Sequence, residues 1–202
     1  MARHFLMLIG ALLAGLGGLR AAPPPEPEIA VLYARGLAGD QQAVQDCIAA
    51  LEKRLAAKPE DQLARVYLGS AYTLRSRDLG FGKAKLDTLR KGIALMDEAA
   101  GAAPEDAHVA LTRAVTNEAL PVFLGRRKVA RRQLEDLVAL VEKNPAKLPP
   151  ADQQLLYLNA GEAALHAADK TRAQELWQRG LTISGDTKLR AEIEQALARF
   201  AD

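Results

Sequence analysis

With one cysteine, one tryptophan and three histidines in 202 residues, this chain has little of the material from which several kinds of protein are built. Cys47 stands alone, so no intramolecular disulfide is available and stability must come from packing; a buried, inert thiol is the expectation, a reactive or intermolecular one the alternative. Aromatic residues make up only 4% of the chain while alanine is abundant, which disfavours a β-sandwich and favours closely packed helices. Of the histidines, His108 and His166 lie in the body of the chain, neither in a His-Glu-x-x-His arrangement nor near Cys47 in sequence. A metal site built from them and neighbouring carboxylates is the minor alternative to ordinary solvated or packed histidines. No Gly-rich strand-to-helix phosphate loop and no Gly-x-Ser-x-Gly elbow occurs. No catalytic residue, metal or cofactor is therefore expected, and a small helical enzyme ranks last among the functional readings.

One long apolar run is present, and it stands at the start. Arg3 and His4 precede the apolar segment 5–19, then Arg20-Ala21-Ala22 precedes Pro23-Pro24-Pro25, the layout of an export signal over residues 1–22. An uncleaved anchor and a buried helix are the alternatives. Residues 23–27 read as a stiff Pro-rich tether and 28–202 as one helical domain. Without residues 1–22 the 27 Lys and Arg lose Arg3 and Arg20, leaving 25 against 25 Asp and Glu. Neutrality and export both argue against a nucleic-acid partner. The expected location is the periplasm or the extracellular space, with membrane tethering if the signal is retained.

Helical periodicity runs through the rest, predicting helices over 28–38, 40–57, 61–77, 83–101, 105–120, 125–143, 151–167, 170–182 and 186–200. Lys58-Pro59-Glu60-Asp61, Ala103-Pro104-Glu105-Asp106 and Asn144-Pro145 punctuate them, and the first two prolines are expected at helix starts. Glycine inside a helix costs about 1 kcal/mol relative to alanine, so Gly69 and Gly161 mark expected points of close helix approach. The segment Arg65-Val66-Tyr67-Leu68-Gly69-Ser70-Ala71-Tyr72 resembles the first helix of a tetratricopeptide (TPR) repeat: Leu68, Gly69 and Tyr72 match its pattern, and Arg65 replaces the usual tryptophan. Tyr157, Ala160-Gly161 and Ala164, followed by Ala173 and Trp177, form a second unit at the standard spacing. Residues 105–144 keep the hairpin shape without the glycine and tyrosine, and residues 76–84 are the expected insertion lengthening the first clear unit.

The resemblance implies an all-α, short right-handed solenoid of antiparallel hairpins, about nine helices in all, with segments 28–57 and 186–200 as caps. The last helix is amphipathic through Leu189, Ile193, Leu197 and Phe200, and docking of that helix on another chain is the alternative to capping. The resemblance also implies a non-enzymatic scaffold that captures a protein or peptide in a groove lined by the first helix of each pair. Tyr72, Arg75, Arg113, Asn117, Asn159, Glu162 and His166 are the candidate groove residues. The basic cluster Arg126, Arg127, Lys128, Arg131 and Arg132 opposes the dipole of the helix it opens. Its expected neutralisers are Glu135 and Asp136, anionic lipid or an acidic partner, which makes a membrane-surface tether the second functional reading.

Overall fold

The computed structural model describes residues 26–199, so the expected signal, most of the tether and Phe200 lie outside the described residues. Nine α-helices follow one another, and no strand occurs among the described residues. They are α1 (Pro27–Leu37), α2 (Gln41–Ala57), α3 (Gln62–Asp78), α4 (Lys83–Ala102), α5 (Ala107–Ala119), α6 (Arg126–Lys143), α7 (Pro150–His166), α8 (Lys170–Leu181) and α9 (Thr187–Ala198). Short 3-10 turns at Val122–Leu124 and Pro145–Lys147 flank α6.

Five of the nine described helices start on an aspartate cap, with a correction to the expected role of proline. Asp61 accepts from Ala64 N at 2.9 Å, and Asp106 accepts from His108 N and Val109 N at 2.9 and 3.1 Å. Pro59 and Pro104 sit instead in the preceding turns, closed by Asp61 N to Lys58 O and Asp106 N to Ala103 O, each 3.1 Å. Proline fixes φ for the second position of such a turn, and aspartate satisfies the free amides that follow.

The helices stack in two layers. Each consecutive pair forms a hairpin, and the first helices also pack on one another in the order α1, α3, α5, α7, α9. Gly69 and Gly92 make the α3/α4 crossing: a Cβ on Gly69 would stand 2.6 Å from Gly92 O, and the reverse holds for Gly92. Gly161 lies under Trp177, whose Nε1 donates to Leu158 O at 3.1 Å, and a Cβ there would meet the indole at 2.6 Å from Cε2. Both glycines are close-approach positions, as the sequence suggested.

The N-terminal hairpin is more than a cap. Leu51 precedes Pro59 by eight residues, as Met96 precedes Pro104 and Leu137 precedes Pro145. Leu51, Met96, Leu137 and Trp177 are all buried, so one packing position recurs in every second helix of the stack. At the other end α9 buries Leu189, Ile193 and Ala196 against α7 and α8, the capping arrangement.

The insertion in the first clear unit is longer than residues 76–84. Met96 follows Gly69 by 27 residues and Trp177 follows Gly161 by 16, so the α3/α4 hairpin carries 11 more. They appear as four residues on α3, six on α4 and one in the loop between them, the helical parts extending the hairpin roughly 6–9 Å at 1.5 Å per residue.

Candidate functional site

Two kinds of polar surface emerge from the stack, and they divide the seven candidate groove residues. Where first helix meets first helix, hydrogen bonds and ion pairs join the inner layer. Tyr33 OH lies 2.6 Å from Ser70 Oγ, which lies 2.9 Å from Thr116 Oγ1, linking α1, α3 and α5. Between α5 and α7, His108 Nδ1 is 3.1 Å from Asp152 Oδ2 and His166 Nδ1 is 2.6 Å from Glu118 Oε1. Both carboxylates are almost fully buried while both imidazoles are partly exposed. The Asp152 partner holds the His108 imidazole above its ordinary pKa, against the opposing effect of burial. Burial pushes the Tyr33 phenol up to about 12, so it stays neutral within the chain of hydroxyls.

Asp152, Asn159 and His166 are spaced by seven, two helical turns apart, and so share the α7 face that meets α5. Asn159 is half-buried, with Nδ2 donating to Leu155 O at 2.8 Å. Glu162 reaches Arg199 beyond α9 at 3.6 Å. These three candidates belong to the inner layer.

Three others do not, which corrects their placement in the groove. Tyr72 lies between α2 and α4, its hydroxyl donating to Glu52 Oε1 at 2.5 Å and the Lys91 ammonium lying 4.0 Å over its ring. Arg113 lies between α4 and α6, donating to Asp97 Oδ1 at 2.8 Å and Gln133 Oε1 at 2.9 Å. Asn117 is fully buried, with Oδ1 accepting from Arg126 Nε at 3.2 Å. Helical spacing misled because two faces of each first helix are lined by polar groups, one toward the inner layer and one toward the crevice between second helices. Arg75 is half-buried and has no ion-pair partner among the described residues.

The second helices are bridged by charge across those crevices. Lys91 and Glu52 join α4 to α2 at 3.7 Å, Arg126 and Asp97 join α6 to α4 at 2.5 Å, and Arg172 and Glu135 join α8 to α6 at 2.8 Å. Arg179 and Glu142 add a second α8–α6 pair. The basic cluster is accordingly divided. Arg126 is neutralised by Asp97 and Arg131 approaches Asp169 at 3.6 Å, whereas Glu135 serves Arg172. Neither Glu135 nor Asp136 neutralises the cluster, a second correction. Arg127, Lys128 and Arg132 have no ion-pair partner among the described residues.

Cys47 is buried, and desolvation raises its thiol to about 12, so the inert reading holds. No helix among the described residues is long and apolar enough to cross a membrane. No group of three or more His, Cys, Asp or Glu able to hold a metal occurs among them.

Two layers of stacked hairpins with glycine-mediated crossings define an all-α solenoid of TPR type. Its likeness to a thermophilic TPR protein from Thermus thermophilus has a TM-score of 0.62 over 96% of this chain and 93% of that chain, at 18% sequence identity. Comparison with known protein families gives no match, and comparison with curated proteins gives none either.

Proposed function

We propose that the chain is a non-enzymatic scaffold that binds a protein or peptide along the inner surface of its first helices. The observation that carries this reading is the continuous row α1, α3, α5, α7, α9, on which His108, Asn159, Glu162 and His166 keep accessible polar edges. Directed hydrogen bonds from such groups fix the register of a bound backbone, and the solenoid supplies the long surface. The export signal read in residues 1–22 supports a partner in the periplasm or outside the cell; N-terminal sequencing of the protein recovered from its host tests cleavage.

Photocrosslinking groups placed at Asn159 and Glu162 in the native host test the binding reading. A discrete adduct from these positions, absent from the same probe at Tyr72 or Arg113, is expected. No adduct from either inner position, or the same adduct from the outer crevices alone, overturns it.

A further inference from the structure

The first helices run parallel, so the loops that end α3 and α5 emerge at the same end of the stack. Both expose aromatic tips. Phe81 is 100% exposed at the end of the lengthened α3/α4 hairpin, and Phe123 is 79% exposed beside Val122 at 64%. Each tip is followed by a glycine at the helix start and then by cations: Phe81-Gly82-Lys83-Ala84-Lys85 opens α4, and Phe123-Leu124-Gly125-Arg126-Arg127-Lys128 opens α6. Val129, 41% exposed, extends the apolar surface onto the first turn of α6.

The same two helices are exceptional in their electrostatics. The other seven start with an aspartate cap or carry an acid in the first turn; α4 and α6 have neither. Their positive dipole ends and unsatisfied amides therefore face outward uncompensated, beside cations that gain nothing from helix stability. Most nearby acids are already engaged, Asp87 by Lys83 at 2.5 Å, Asp78 by Arg77 at 3.0 Å, Glu135 by Arg172 at 2.8 Å, and Asp40 and Asp169 as caps of α2 and α8, while Asp136, one turn beyond Arg132, is exposed and pairs with neither Lys128 nor Arg132.

We propose that this end of the solenoid docks on an anionic lipid bilayer, with Phe81 and Phe123 entering the headgroup region and Lys128 and Arg132 meeting lipid phosphates. The exposed apolar side chains stand on two projecting loops, Phe81 on one and Val122, Phe123 and Val129 on the other, and each loop can enter a bilayer interface with the cations beside it. Cations beside them draw the surface to negatively charged lipid. The site is distinct from the inner layer and stands whether or not that layer binds a peptide.

The nine helices bury their apolar faces on one another, so a chain beginning at Pro23 carries the whole stack and separates this surface from residues 1–22. That chain is sedimented with vesicles of phosphatidylcholine alone or with one-quarter phosphatidylglycerol. Binding confined to the anionic vesicles and weakened by salt is expected, with affinity falling about tenfold or more in Phe81→Ser/Phe123→Ser and in Lys128→Glu/Arg132→Glu. A Phe81→Trp probe should shift its emission to the blue on the anionic vesicles, while the buried Trp177 gives a constant background. All substitutions are at exposed positions, and thermal melts confirm folding. Absence of anionic-vesicle binding, binding unchanged by the aromatic pair, or self-association abolished by the same substitutions overturns the proposal, the last assigning the surface to a second copy.

Discussion

Alanine is a better helix former than glycine, so a helical glycine either costs stability or stands where a methyl group has no room. Gly161 and Gly101 separate the two effects. Gly161→Ala pushes a Cβ into the Trp177 ring, whereas a Cβ on Gly101, near the end of α4, meets nothing within 4 Å. Overpacking costs about 1–3 kcal/mol, which outweighs the propensity alanine returns. Urea denaturation should show Gly161→Ala destabilised by that amount and Gly101→Ala stabilised by a few tenths to about 1 kcal/mol. Equal signs for the two would remove steric contact as the reason for Gly161. The His108–Asp152 pair gives a pH signature at the same scale. Since the imidazole pKa is raised in the folded chain, the pair's contribution is full below the ordinary histidine value of about 6.5 and is lost as pH rises through the folded value. The urea midpoint should therefore fall above pH 6.5 in the native chain and fall less in His108→Ala; identical slopes would refute the linkage.

At the scale of the element, two carboxylates do for α3 and α5 what the sequence assigned to proline. Asp106 satisfies two amides, so Asp106→Ala should cost about 1 kcal/mol, with Asp106→Asn retaining most of it. Melting curves of the pair check this; equal loss in both would point to charge rather than capping. Helix positions were legible because apolar spacing and Asp-Pro punctuation are local signals, and each expected helix lies within two residues of an observed one. The polar partners were not legible. Whether Arg113 faces the inner layer or Asp97 depends on how α4 and α6 close around α5, and no spacing within α5 records that. The same limit hid Asp97 as the neutraliser of Arg126, since the pair is separated by 29 residues and the whole of α5. The α1/α2 unit was legible in principle, from the fixed distance of Leu51 to Pro59, but its first helix carries Tyr33 before Gly36, the reverse of the Leu68-Gly69 and Tyr72 order that marked α3.

Across the whole molecule, apolar burial is divided at α5. Val109 belongs to the apolar core of the N-terminal hairpins, while Leu111, Ala114 and Val115 belong to that of the C-terminal ones. In a stack whose stability is a sum over neighbouring units, a change at one end should be felt mainly there. Helix α9 gives the clearest case: Leu189 and Ile193 are buried, Ile193 lies against Gly180, and the preceding loop is held by buried Gln154, which donates to Ile183 O at 2.9 Å and accepts from Asp186 N at 2.6 Å. Each such aliphatic side chain contributes about 1.5–3 kcal/mol when fully buried. Truncation after Gly185 should therefore expose the α7/α8 surface and accelerate amide exchange in α7 and α8 by orders of magnitude. Exchange in α2 and α3, two or more hairpins away, should stay close to that of the intact chain. Uniform acceleration across the molecule would mean that the two cores unfold as one, and that the polar bridge from Ser70 to Thr116 couples the hairpins as strongly as apolar contact does.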